Sequence, residues 1–244
     1  MPVLGIETSH RSGGVALVRS GRVLAELVVD VGMTYSNTLF PSIDSLLRIC
    51  KMSYEDIEAV AVGIGPGSFT GLRIGIASSK GLSYALGVPL IGVPSLDAMA
   101  CDVIPVKSEV VLCPMLDAKK GQVFTATYHV SRAGRPRRKG PYMAIEPEAF
   151  VEKIAGLKEL HVLFGDGLAT HKERFEACLN THSRVNCLLE PRLSPYPRPG
   201  RIGILGERGD AGMEAIFTIE PLYLRPSDAE IKRFGLDTTV FSQE

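Results

Sequence analysis

Two segments bring acidic, hydroxyl and glycine residues together in patterns suited to phosphate or metal chemistry. The first is Gly5-Ile6-Glu7-Thr8-Ser9, with Gly13-Gly14 close behind. An acid at a strand end, followed by small hydroxyls and glycine, can hold a phosphate or its magnesium against backbone N–H groups. The same residues also suit a plain hairpin turn. The second is Gly63-Ile64-Gly65-Pro66-Gly67-Ser68-Phe69-Thr70-Gly71-Leu72-Arg73, lying between a buried strand and a helix. A helix N-terminus presents unsatisfied N–H groups and the positive end of the dipole, so it suits an anion. Gly65, Gly67 and Ser68 thus join Glu7, Thr8 and Ser9 as candidate nucleotide or phosphate ligands. The segment is not a P-loop, because no Gly-Lys-[Ser/Thr] follows, and the GxGxxG spacing lands on Gly63, Gly65 and Ser68. The competing reading is a tight backbone crossing where side chains do not fit. Gly165-Asp166-Gly167 offers either a second phosphate loop or a strand-ending turn.

Other chemistries find little support. The histidines at 10, 129, 161, 171 and 182 form no HxxH, HxxxH or HExxH pair, so no metal-binding helix is visible. There is no GxSxG elbow. Cys50, Cys101, Cys113, Cys178 and Cys187 are odd in number, scattered and without a CxxC pair, which favours reduced thiols in the cytoplasm. Lys+Arg and Asp+Glu both number 27, which removes the simplest argument for a stand-alone nucleic-acid binder. The basic run Arg132, Arg135, Arg137, Arg138, Lys139 reads as a solvated hairpin tip or as a phosphate-backbone contact. No signal peptide fits the start, and no run of about 18 apolar residues offers a membrane span.

These residues need a scaffold, and the apolar periodicity supplies one. With 244 residues and 45% hydrophobic content the chain can bury a proper core. Val3–Ile6, Val15–Val18 and Val23–Val29 predict an antiparallel meander joined by glycine turns. A helix is expected to start near Asn37–Phe40, placing Pro41 in its first turn, and to run to Cys50. Strand Val60–Ile64, a small-residue helix Leu72–Leu86 closed by Gly87, strand Leu90–Val93 and a helix from Ser95 to about Cys101 follow. Three meandering strands and then strand–helix alternation describe a ribonuclease-H-like lobe of the actin/Hsp70/sugar-kinase (ASKHA) superfamily. The second half repeats the order loosely, with strands at Val110–Leu116, Val123–His129, Tyr142–Ile145 and His161–Phe164, and helices at Glu148–Ile154 and Lys172–Leu179. Ile202–Met213 reads as a last helix and Phe217–Leu224 as a last strand. The expected division is an N-terminal lobe over 1–104 and a smaller C-terminal lobe over 105–244, with the last helix free to return to the first. The helices 37–50 and 72–86 also carry apolar stripes, either sandwiched in the fold or exposed as a two-helix patch.

Several stretches resemble the bacterial TsaB (YeaZ) family: Leu4-Gly5-Ile6-Glu7-Thr8-Ser9, the block from Gly65 to Gly75, Pro89-Leu90-Ile91-Gly92-Val93, Leu116 to Phe124, and Glu220-Pro221-Leu222-Tyr223-Leu224-Arg225. The resemblance spans nearly the whole chain and is most specific in GPGSFTGLRIG. Members usually carry Asp where Glu7 stands. It implies an ASKHA fold and a part in making threonylcarbamoyladenosine (t6A) on tRNA beside the catalytic relative TsaD. TsaD binds its metal through an HxxxH helix, and the matching positions here are Ser95 and Met99, neither able to replace a histidine on iron or zinc. The resemblance therefore implies a non-catalytic subunit with no metal and no required cofactor, beyond weak ATP or ADP with magnesium at a subunit interface. Implied partners are TsaD and the ATPase TsaE, with tRNA met only through the complex and homodimers when alone. The docking residues it points to are Leu39, Phe40, Ile43, Leu47, Leu72, Ile76, Ser79 and Ser83. The rival readings are an ASKHA-type phosphotransferase or ATPase built on Glu7, Thr8 and the glycine loops, and an M22-like metallopeptidase.

Overall fold

The apolar alternation at the amino end builds three antiparallel strands: β1 (Pro2–Glu7), β2 (Ser12–Arg19) and β3 (Arg22–Asp30). The computed structural model describes residues 1–30, 35–103, 110–130, 135–181, 185–209, 215–225 and 241–243. Next come α1 (Tyr35–Cys50), β4 (Ala59–Gly65), α2 (Phe69–Leu86), β5 (Leu90–Pro94) and α3 (Ser95–Asp102). The strand order is β3-β2-β1-β4-β5, with β1, β4 and β5 mutually parallel. This is the expected ribonuclease-H-like arrangement. Ser68 caps α2 by accepting from Gly71 N–H, and Gly87 ends it in the left-handed conformation that glycine adopts freely. α1 starts earlier than its sequence suggests, so Pro41 lies in the second turn, where it has no N–H to give the Asn37 carbonyl. One sheet face, with Leu4, Ile6, Val15, Leu17, Val60, Val62 and Leu90, packs against Leu39, Ile43, Leu46 and Leu47 of α1 and Ile76 and Leu82 of α2.

The second half repeats the plan. It contains β6 (Val110–Lys119), β7 (Gln122–Thr125), β8 (Tyr128–Val130), β9 (Arg137–Arg138), β10 (Tyr142–Ile145), α4 (Pro147–Ile154), β11 (Leu160–Phe164), α5 (Asp166–Thr170), α6 (Lys172–Thr181) and β12 (Cys187–Glu190). Along β10-β7-β6-β11-β12 the first three strands are antiparallel and the last three parallel, the order of the first sheet over again. The single strand expected over Val123–His129 is two, β7 and β8. They are broken at Ala126-Thr127, because β8 pairs the amino half of β6 while β7 pairs its carboxyl half. Phe150, Val151, Ile154, Leu163, Leu168 and Phe175 fill this core.

The chain ends with α7 (Pro199–Gly206), α8 (Ala215–Thr218) and β13 (Phe241–Gln243), which pairs with β10. α7 lies on the free face of the first sheet with Val3, Ala61, Ile91 and Ile202. A Cβ on Gly5 would fall 2.3 Å from the Pro199 carbonyl oxygen, so β1 and α7 meet backbone to backbone. The chain therefore divides into Met1–Ala98 with Pro197–Leu222, and Met99–Tyr196 with Tyr223–Glu244, rather than at 104/105. The strand expected over Phe217–Leu224 is not formed. Ile216 is buried in a helical turn, Phe217 faces solvent, and Pro221 lacks the donor a ladder needs. The helix expected over Ile202–Met213 stops at Gly206, and residues 210–214 lie outside the described set.

Candidate functional site

The strand ends of the first unit gather the polar residues singled out by sequence. Glu7 closes β1, and Glu7, Thr8, Ser9 and Ser95 are all wholly buried. The Glu7 carboxyl accepts from Ser9 N–H at 2.6 Å through Oε1 and from the Ser95 hydroxyl at 2.9 Å through Oε2. Ser9 Oγ lies 3.3 Å from Ser95 Oγ and 3.1 Å from His10 Nδ1, and Tyr35 donates to the His10 carbonyl at 2.5 Å. Thr8 Oγ1 donates to the Gly71 carbonyl at 2.9 Å. Burial pushes the Glu7 carboxyl above the ordinary glutamate range, against the bonds from Ser9 and Ser95 that pull it down.

The glycine block fits around this network. A Cβ on Gly63 would lie 2.3 Å from Glu7 Oε2, on Gly67 2.5 Å from the Ser9 carbonyl oxygen, and on Gly71 2.1 Å from that of Thr8. On Gly75 it would lie 2.1 Å from Thr8 Oγ1. Ser68 N–H donates to the Ser9 carbonyl at 2.7 Å. The block is thus a backbone crossing that brings α2 onto residues 7–9. The phosphate reading of Glu7, Thr8, Ser9, Gly65, Gly67 and Ser68 is weakened accordingly: the first three are sealed under α2 and Gly65 is buried, while Gly67 and Ser68 are half-buried and Ser68 bonds through both N–H and Oγ to its own chain.

The docking residues need a similar correction. Leu39, Ile43, Leu47, Leu72, Ile76, Ser79 and Ser83 are buried within the chain's own core, and only Phe40, 43% exposed, faces solvent. Ser83 Oγ donates to the Val88 carbonyl, and Ser79 Oγ has no hydrogen-bond partner. The apolar stripe of each helix faces the sheet, as amphipathic periodicity ordinarily dictates. The outward faces carry Phe40 and Ile49 on α1, and Phe69, Ala77, Gly81 and Tyr84 on α2.

Sequence reading missed a polar cluster at the matching strand ends of the second unit. Asp117 Oδ2 lies 2.6 Å from Lys119 Nζ, Asp117 Oδ1 lies 3.5 Å from His171 Nε2, and Asp117 N–H donates to Asp166 Oδ1 at 3.2 Å. Partial burial pushes Asp117 up, but Lys119 and His171 more than offset it and leave the carboxyl below its ordinary value. Asp166 is pushed up to about 6 by burial and by the neighbouring Asp117 charge. The signal available in the sequence was position: Asp117 sits near the end of β6 as Glu7 sits at the end of β1. Gly165 and Gly167 press on the Met115 and Leu116 backbone, and the segment is where β11 gives way to α5, with Gly165 at the N-cap and Asp166-Gly167 in the first turn. Among the described residues no group of three or more His, Cys, Asp or Glu is placed to hold a metal ion. At the positions the resemblance equates with metal histidines, the Ser95 hydroxyl is spent on Glu7 and Met99 is buried.

Comparison with known proteins places this architecture. Residues 30–151 match the family model for TsaD, tRNA N6-adenosine threonylcarbamoyltransferase. A Bacillus subtilis protein named tRNA threonylcarbamoyladenosine biosynthesis protein TsaB is 31% identical over 95% of this chain and 97% of its own length. The chain belongs to the TsaB family. The Escherichia coli TsaB is 31% identical over 68% of this chain and 72% of its own. A Pseudomonas aeruginosa crystal structure, described as an uncharacterized protein with similarity to peptidase YEAZ, superposes with a TM-score of 0.75 at 25% identity, over 92% of this chain and 99% of that one.

Proposed function

We propose that the chain is a non-catalytic subunit of the machinery that makes threonylcarbamoyladenosine on tRNA. In this reading it docks a TsaD-type catalytic subunit, with the ATPase TsaE joining the pair, and it works in the cytoplasm. Family membership supports the pathway. No helix among the described residues is long and apolar enough to cross a membrane. The observation that carries the non-catalytic reading is the Ser95–Glu7 bond. Where the relative would need a histidine, the chain has a wholly buried hydroxyl already donating to a carboxyl oxygen of Glu7. A neutral hydroxyl and a thioether make a poor ligand pair for iron or zinc. The chain then needs no resident cofactor, and ATP or ADP with magnesium belongs at an interface with a partner.

Docking falls to the outward faces of α1 and α2, where Phe40, Ile49 and Tyr84 supply apolar area and Ala77 and Gly81 permit close helix approach. Without TsaD, the same faces pair two copies. The test mixes the chain with TsaD, TsaE, ATP and threonylcarbamoyl-adenylate, and reads particle size and tRNA modification together. Modification is expected only when TsaD is present. Gly81→Arg or Tyr84→Arg is expected to abolish co-elution with TsaD while leaving the chain folded. Modification of tRNA by the chain alone overturns the reading.

A further inference from the structure

We infer that the β8–β9 hairpin carries a binding site for the phosphate backbone of RNA, with Arg135, Arg137, Arg138 and Lys139 as its ligands. The RNA class rests on the function proposed above. The four cations fall within five residues and all are exposed. The chain as a whole has no net charge, so this concentration is a matter of placement. Some exposed cations elsewhere are paired locally, as in Arg11–Asp30, Lys172–Glu176 and Arg174–Glu148. None of these four has a carboxylate within ion-pair distance among the described residues. The acid whose charge is felt here is Glu159, held low first by its own backbone hydrogen bond and then by His129, His161 and Lys139.

The backbone beneath the last three is fixed. Arg137 pairs with His129 and Arg138 with Tyr128, while Lys139 N–H donates to the Thr127 carbonyl at 2.8 Å and Thr127 Oγ1 donates back to the Lys139 carbonyl at 2.6 Å. Alternate residues of extended chain share a face, so Arg137 and Lys139 stand together about 6.6 Å apart along the strand. Arg138 is held separately, its guanidinium 4.2 Å from the Tyr142 ring centre. Three of the four are arginines, whose planar fork matches phosphate oxygens. A membrane surface would call for exposed apolar anchors beside the cations, and Arg-Pro-Arg-Arg-Lys-Gly has none. Base reading would call for exposed aromatic platforms, and Tyr128 and Tyr142 are buried. What remains is sequence-independent contact with phosphates. Arg132 lies outside the described residues and is not counted in the site.

The test titrates the full chain, alone and with TsaD, into fluorescently labelled tRNA between about 50 and 200 mM salt. The variant R135S/R137S/K139S is expected to bind tRNA roughly tenfold or more weakly at low salt and to flatten the log–log salt slope by about 2 to 3. Its co-elution with TsaD is expected to be unchanged. Unchanged affinity and slope overturn the site, and so does tighter binding to anionic phospholipid vesicles than to tRNA at the same salt. If the triple variant does not fold, Arg137→Glu alone gives the same readout through a single exposed change. The titration of the chain alone reads the hairpin even if co-elution with TsaD fails, so the two ideas fall separately.

Discussion

Glu7 and Ser95 lie 88 positions apart in sequence, yet the Ser95 hydroxyl donates to the Glu7 carboxyl at 2.9 Å in a spot that solvent does not reach. The bond ties the end of β1 to the start of α3, and every donor around the carboxyl comes from its own chain. Among the described residues no cation balances it, so burial favours the uncharged acid. The folded pKa is raised, so the resulting stability is fully present below the ordinary glutamate range and is lost as pH rises through the raised value. Glu7→Gln keeps a polar side chain without ionisation. It should flatten the fall in unfolding free energy with rising pH, whereas Ser95→Ala, which keeps the carboxyl and removes one of its donors, should keep that fall and cost about 1–3 kcal/mol. Denaturant unfolding across a pH series checks this, and parallel curves for wild type and Glu7→Gln would count against a buried neutral carboxyl.

Asp166 offers a sharper version in the second unit. Its carboxyl, pushed up to about 6 by burial and by Asp117, is most tolerable when protonated. The wild type therefore loses stability as pH rises from about 4 through 6. By linkage, Asp166→Asn should match wild type near pH 4 and exceed it by at most about 3 kcal/mol above pH 7. Asp117 acts in a different window, because its depressed pKa gives stability that is lost only as pH falls below the ordinary carboxylate range. Thermal melts of Asp166→Asn at pH 4 and pH 7.5 decide the matter, and an equal gain at both would mean that charge is not the cause.

The two faces of α2 predict opposite outcomes for the same substitution. Gly75→Ala drives a methyl to within 2.1 Å of Thr8 Oγ1, whereas a Cβ at Gly81 meets nothing within 4 Å. Gly75→Ala should destabilise by about 1–3 kcal/mol through overpacking. Gly81→Ala should stabilise by about 0.5–1 kcal/mol through the lost flexibility of glycine in a helix. Urea unfolding midpoints read both, and effects of one sign would show that the closeness of α2 to Thr8 is not what fixes glycine at 75.

That contrast marks how far the sequence could be read. The sheet order follows from apolar alternation and from the number of strands before the first helix, so both units were largely legible. The glycine block was legible only as two alternatives. Whether Gly67 and Gly71 cradle an anion or admit another strand depends on where residues 7–9 sit, a contact across some 60 positions that local pattern does not encode. The helix stripes had the same weakness. Periodicity showed that Leu39, Ile43 and Leu47 share a face but not what that face meets, and the chain's own sheet claims it. Short apolar runs failed as well. Phe217–Leu224 has strand composition, but Pro221 has no N–H for a ladder, and Ile216 and Leu224 are buried while Phe217 is exposed, without the alternation a strand would give.

Leu39 and Phe40, neighbours on α1, make the docking claim testable apart from the fold. Leu39 is 1% exposed and packed in the core, whereas Phe40 is 43% exposed. Leu39→Ala should cost about 2–5 kcal/mol by leaving a cavity under the helix. Phe40→Ala should change stability by less than about 0.5 kcal/mol, as exposed substitutions away from special features generally do. Binding to TsaD should show the reverse order among folded protein: Phe40→Ala weakens it, and Leu39→Ala leaves it intact once the folded fraction is accounted for. Ile76→Arg, by contrast, would bury a charge in the core and report on folding alone. Calorimetric titration against TsaD, paired with denaturant curves, separates the two effects. If Phe40→Ala binds as wild type does, the outward face of α1 has no part in the contact.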